Sequence, residues 1–173
     1  AQVYLINQPG AVQANIFAGK IVPSTRDDGA LLLEMANEVI GGSFTARLNM
    51  NLREDKHWSY GARTMLVDAE GQRPWLAFAP VQIDKTVESL REIQREIGSY
   101  TSGKAPATAA EVEKIVANNL RSQPGAYETA GRVLGTIADI VRYDRPDNWV
   151  EMRNDRIRAL TTEQVNTAAA TLA

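Results

Sequence analysis

Two residues with chemistry in them, Arg53 and Tyr60, stand seven positions apart in the stretch "REDKHWSY". An arginine presents five N–H donors in a planar fork suited to carbonyls and carboxylates, and a tyrosine hydroxyl is a donor near neutral pH. Upstream, "SFTARLNMNLRE" has helical spacing; downstream, "SYGARTMLVD" reads as a strand. A seven-residue passage from helix end to strand start can bring both polar heads to one side of a sheet edge. There they could hold a peptide carbonyl or steady an oxyanion. The competing readings are a structural ion pair at Arg53 and a buried strand tyrosine at Tyr60.

The neighbours offer less. His57 is the lone histidine, and there is no cysteine, so a zinc site needing two histidines, or any thiolate chemistry, cannot be built within this chain. A surface-loop histidine is the default for His57. Glu54 and Asp55 are adjacent, so on a helix end they point in different directions and make a poor acid–base pair. Gly41-Gly42 lacks the lysine and the spacing of a phosphate loop. The net charge is −2, with no block of like charges, which gives no sign of a nucleic-acid surface. No apolar run approaches the roughly 20 residues that span a bilayer. With 173 residues, 44% of them hydrophobic and 23% charged, the chain suits one globular domain.

The elements that must position the pair are read from periodicity. "VYLINQPGAVQANIFAGKIVP" predicts two strands joined by a Pro9-Gly10 turn. In the second, Val12, Ala14, Ile16 and Ala18 alternate with Gln13, Asn15, Phe17 and Gly19, giving one buried face. "DDGALLLEMANEVIGG" predicts a helix stopped by Gly41-Gly42, with Ser24, Thr25 and Asp27 as possible caps. "SFTARLNMNLRE" predicts a short helix capped by Ser43, with Phe44, Leu48 and Leu52 along one side. "SYGARTMLVD" and "WLAFAPVQID" form a hairpin across "AEGQRP". Five helical segments follow. The first carries Val87, Leu90, Ile93 and Ile97. The second is capped by Thr108 with Glu111 as a capping box. The third turns Val133, Leu134, Ile137 and Val141 inward. The fourth starts at an Asp147/Asn148 cap and the last at Thr161 or Thr162. Strands in hairpins, followed by helices, predict an α+β fold: an antiparallel sheet with helices packed on one face.

The run "GGSFTARLNMNLREDKHWSYGA" resembles the signature of the C-terminal, non-zinc-binding ("inactive") domain of the M16, or pitrilysin-type, metallopeptidases. Gly41, Gly42, Phe44, Arg47, Leu48, Leu52, Arg53, Glu54, Ser59, Tyr60 and Gly61 fall in the family's order. The lead-in "QPGAVQANIFAG" and the tail "GAYETAGRVLGTIADIVRYDRPDNW" are similar to the family as well. The resemblance implies a fold of the LuxS/MPP-like metallohydrolase type over residues 1–173 as a single domain. It implies an active site shared between two similar domains. One carries an inverted His-x-x-Glu-His zinc motif, whose glutamate activates water; the other supplies an Arg and a Tyr that bind substrate, matched here by Arg53 and Tyr60. Cofactors then divide: none in this chain, zinc in the partner domain. The partners implied are a zinc-bearing M16-type domain or subunit and a peptide substrate. The family domain continues past its last helix into one more strand, so the chain is expected to be truncated before it. Family members often carry a small residue such as Gly near position 57, where His57 and Trp58 stand here. Bacterial relatives and the lack of cysteine favour the periplasm.

Two rival functions remain open at this point. One is a scaffold or peptide-interaction domain on the same fold, without a proteolytic role. The other is a small-molecule site at the Arg53/Tyr60 corner.

Overall fold

The sheet is organised by β3 (Arg73–Gln82), whose alternation sends Arg73, Trp75, Ala77, Ala79 and Val81 to the interior and Pro74, Leu76, Phe78 and Pro80 outward. In the computed structural model, which describes residues 2–172, β3 lies between β1 (Gln13–Val22) and β2 (Arg63–Leu66), both antiparallel to it. β1 pairs along its whole length, Gln13 with Gln82 through Val22 with Arg73, and β2 pairs only with Leu66 opposite Trp75 through Arg63 opposite Phe78. The short β2 explains two prolines in a central strand. Pro74 and Pro80 lie just beyond the ladder with β2, where only their carbonyls are used, by Val67 N–H and the Ser59 hydroxyl.

The inner face is covered by α1 (Ala30–Asn37), which continues as a π-helical turn at Glu38–Gly42, and by α2 (Arg47–Asn49), which continues as a π-helical stretch at Met50–Asp55. Then come α3 (Thr86–Thr101), α4 (Ala109–Arg121), the four-residue α5 (Gln123–Ala126), α6 (Ala130–Arg142), α7 (Trp149–Arg158) and α8 (Thr162–Ala169). Leu31, Leu33, Met35, Val39 and Ile40 meet Leu48 and Leu52, the inner β3 residues, Ile93, Val112, Ile115, Ile157 and Val165 in one core. Each such side chain, once buried, stabilises the fold by about 1.5–3 kcal/mol. Trp75 is locked there by its Nε1–H, which donates to Asn37 Oδ1 at 2.7 Å. The architecture is the expected α+β one; the predicted capping box of Thr108 with Glu111 forms, and the last helix, expected to start at Thr161 or Thr162, has Thr161 as its cap in a second box with Gln164.

Several local expectations are corrected. Residues 2–7 form no strand and lie exposed. The Pro9-Gly10 turn does form, with Ala11 N–H donating to Gln8 O at 3.2 Å and Gly10 at φ +81°. A strand also needs a partner, however, and this segment has no ladder among the described residues. The second helix begins at Arg47, not at Ser43; Phe44 falls in the preceding turn and faces outward. In α3, Val87 and Leu90 are exposed while Ser89, Ile93 and Tyr100 face the core. In α6, Val133, Leu134, Ile137 and Val141 point away from the core, Val141 being 76% exposed. Apolar periodicity shows that a helix has an apolar face, not what covers it. The chain end at Ala173, and with it the expected missing strand, lies outside the described residues.

Candidate functional site at the Arg53 and Tyr60 corner

The corner is built from the buried helix turn outward. Arg47 anchors α2: its Nε and Nη2 donate to the two carboxylate oxygens of Glu111, each at 2.7 Å, and its terminal nitrogens also reach the carbonyls of Ala105 and Pro106. Burial pushes the Glu111 carboxyl up, but the hydrogen bonds from Arg47 and Thr108 outweigh it and hold it below the usual glutamate range. The helix then widens, Lys56 N–H donating five residues back to Asn51 O at 3.1 Å. Such π-helical turns recur at functional sites because they re-aim one side chain without ending the helix.

Beyond Asp55 the chain reverses sharply. The N–H groups of Trp58 and Ser59 both donate to Leu52 O, at 2.9 and 3.2 Å. His57 sits at φ +57°, the left-handed region that favours glycine, and its Nδ1 lies 3.0 Å from Arg53 O. The place where the family resemblance leads one to expect a small residue is thus a turn that a glycine would occupy freely. The Ser59 hydroxyl donates to Pro80 O at 2.6 Å and accepts from Gly61 N–H at 3.1 Å, and Ser59 bridges to Val81. Asn49, buried beneath, closes the structure: its Nδ2 donates to Phe44 O at 2.7 Å, and its Oδ1 accepts from Ala62 N–H at 3.1 Å.

Held from both sides, Tyr60 is 85% exposed, so it is not the buried strand tyrosine. Its hydroxyl has no hydrogen bond among the described residues. The Arg53 guanidinium lies 4.6 Å from the Phe44 ring centroid and 5.4 Å from that of Tyr60. Arg53 also meets its neighbour Glu54 at 3.4 Å, an exposed pair worth little by itself. The structure therefore brings together the two residues singled out from the sequence. It places His57 at the turn behind them, as a backbone contact. Around them is a hollow of about 440 Å³ lined by Gly41, Phe44, Arg53, Tyr60, Arg63 and Phe78, among others. Sequence reasoning put Phe44 on a buried side and passed over Arg63 and Phe78. The signal available was their outward register in β2 and β3. Gly41 is required at the hollow's rim, since a Cβ there would meet Thr64 N at 2.5 Å. Among the described residues no group of three or more His, Asp or Glu side chains could hold a metal ion, and no helix is long and apolar enough to cross a membrane.

Comparison with known proteins agrees with this architecture. The chain is similar to the peptidase M16 inactive domain from Pseudomonas fluorescens, with a TM-score of 0.86 and 18% identity, over 94% of this chain and 39% of that one. It is similar to a protease from Helicobacter pylori, with a TM-score of 0.84 and 18% identity, over 96% of this chain and 41% of that one. It also resembles the inactive peptidase domain of a candidate zinc protease from Bordetella parapertussis, with a TM-score of 0.72 and 17% identity, over 96% of this chain and 89% of that one. The chain thus spans about two fifths of the length of the first two structures. No curated protein sequence matches it. Residues 1–119 match the family described as the peptidase M16 inactive domain, and on that match the chain belongs to this family.

Proposed function

We propose that this chain is the non-catalytic, substrate-binding half of a zinc metalloendopeptidase. In this reading it presents Arg53 and Tyr60 to a peptide held against a zinc-bearing partner domain. The observation that carries the reading is the arrangement of the pair itself. Two aromatic rings pack against a guanidinium whose carboxylate neighbour is the adjacent Glu54, and beside it stands a phenol with an unengaged hydroxyl, both in the lining of one hollow. A domain that only scaffolds has no use for two such donors facing solvent.

With one histidine, and no group of three or more metal-ligating side chains among the described residues, the metal in this reading belongs to the partner. When bound there, zinc supplies the activated water. This chain's residues orient and stabilise. Arg53 donates to a substrate carbonyl next to the scissile bond, and the Tyr60 hydroxyl donates to the oxygen that gains negative charge during attack. Because the Phe44 ring already braces Arg53 and Ser59 fixes the backbone that carries Tyr60, little backbone reorganisation is needed when that charge develops.

The test is Arg53→Ala in the complete enzyme, this chain together with its zinc-bearing half. Losing this charge-assisted hydrogen bond, worth about 1.5–3 kcal/mol, should lower kcat/KM by about 10–10² while zinc content stays at the wild-type stoichiometry. Unchanged turnover, or a loss that tracks loss of zinc, removes the role assigned to Arg53.

A further inference from the structure

The open face of the sheet carries a row of three side chains that run across all three strands beside Tyr60. Phe17 of β1 pairs with Phe78 of β3, and Phe78 pairs with Arg63 of β2, so the three stand abreast on the outward face. The rings of Phe17 and Phe78 are 4.8 Å apart and tilted by 36°. The Arg63 guanidinium lies 5.6 Å from the Phe78 ring centroid. Phe17 is 68% exposed, an unusual setting for a stacked phenylalanine.

This row is continuous with the corner: Arg63 and Phe78 line the same hollow as Arg53 and Tyr60. The lining holds two guanidiniums and no carboxylate. Arg53 is partly offset by Glu54, but no carboxylate among the described residues lies within ion-pair distance of Arg63. An arginine braced on an aromatic face loses little further freedom on binding and presents a planar fork that matches a carboxylate in a bidentate way. The apolar surface next to it, Phe78 and Phe17, suits a neighbouring apolar side chain.

We propose that Arg63, braced by Phe78 and Phe17, is a specificity-determining residue that selects an acidic side chain in the bound peptide, with a large apolar residue beside it. This rests on the reading of Arg53 and Tyr60 as a peptide grip. The two arginines divide the work: Arg53 holds backbone whatever the sequence, and Arg63 reads one side chain.

The experiment titrates the full chain with three dye-labelled peptides, identical except for a central Glu, Gln or Lys beside Leu, and follows fluorescence anisotropy. The Glu peptide should bind about tenfold more tightly than the Gln peptide, as expected for a charge-assisted hydrogen bond, and the Lys peptide most weakly. The Glu preference should shrink as salt is raised. Arg63→Gln should abolish the preference, so that the Glu and Gln peptides bind the variant equally. Arg63→Lys, which keeps the charge but not the fork, should retain part of it. Arg53→Ala should weaken all three. Equal binding of the Glu and Gln peptides by the wild-type chain overturns the role of Arg63 and leaves the grip standing. Binding of no peptide at all overturns the grip, and this proposal with it.

Discussion

Asn49 is the residue whose removal most directly tests how the corner is held. It is buried, and its amide joins two segments that do not otherwise share a hydrogen bond through their backbones: Phe44, whose ring stacks on Arg53, and Ala62, two residues past Tyr60. Asn49→Ala removes both bonds, each worth about 1 kcal/mol net. Ala62 is itself buried, so its N–H is left without a partner, at a further cost of about 1–3 kcal/mol. The expected loss is therefore about 3–5 kcal/mol, a sizeable share of the stability of an ordinary domain. Urea unfolding followed by circular dichroism measures it, with the slope compared to show that the unfolded state is unchanged. Asn49→Asp gives an internal control. Its carboxyl still accepts from Ala62 N–H, but when ionised it faces the Phe44 carbonyl with no proton to donate. Burial raises such a carboxyl, so its folded-state pKa lies above the unfolded value. The contribution of the neutral form is then complete below the unfolded value and lost as pH rises through the folded one. Asn49→Asp should accordingly approach wild type at low pH and fall away from it toward neutrality. An Asn49→Ala variant within about 0.5 kcal/mol of wild type would show that the amide does not tie the corner together, and the argument for a pre-arranged Arg53/Tyr60 pair would lose its support.

Two further perturbations probe the same half of the molecule. Burial, and then the charge of Glu34, raise the Glu38 carboxyl above the ordinary glutamate value, against the pull of Arg153. Glu38 therefore contributes most below the unfolded value and progressively less as pH rises through its raised folded value. Glu38→Gln should gain stability relative to wild type over that rise, and a difference that stays flat with pH in thermal melts refutes this. At His57, held at φ +57°, glycine loses the contact between Nδ1 and Arg53 O but relieves the left-handed backbone, so His57→Gly should lie within about 0.5 kcal/mol of wild type. His57→Val should cost about 1–2 kcal/mol more than the glycine variant, and equal stabilities would show that the turn carries no strain.

Much of this molecule was legible in short stretches of chain. The alternation in "VQANIFAG" placed Ile16 inward and Phe17 outward, the capping box of Thr108 with Glu111 was readable, and so was a start of the last helix at Thr161 or Thr162. The meeting of Arg53 and Tyr60 could also be read, because a helix end and a strand start separated by one turn leave the chain few ways to go. These signals act over three to eight residues, and local sterics and hydrogen bonding settle them.

What needed the tertiary structure were the outcomes that depend on a distant partner. "VYLIN" has the composition of a strand, yet no described segment lies alongside it. Phe44 has helical spacing from Leu48 and Leu52, but α2 starts three residues later and the ring turns out onto Arg53. The apolar face of α6 was plain in the sequence, but its exposure was not, since periodicity defines a face and only packing covers it. Arg63, Phe78 and Phe17 lie far apart along the chain, and pairing register alone sets them side by side. A one-residue slip would turn that row into the core. By itself, then, the sequence determined most of the elements and the meeting of Arg53 with Tyr60 at the corner proposed to grip a peptide. Strand register and helix packing, which are non-local, decided what surrounds that corner.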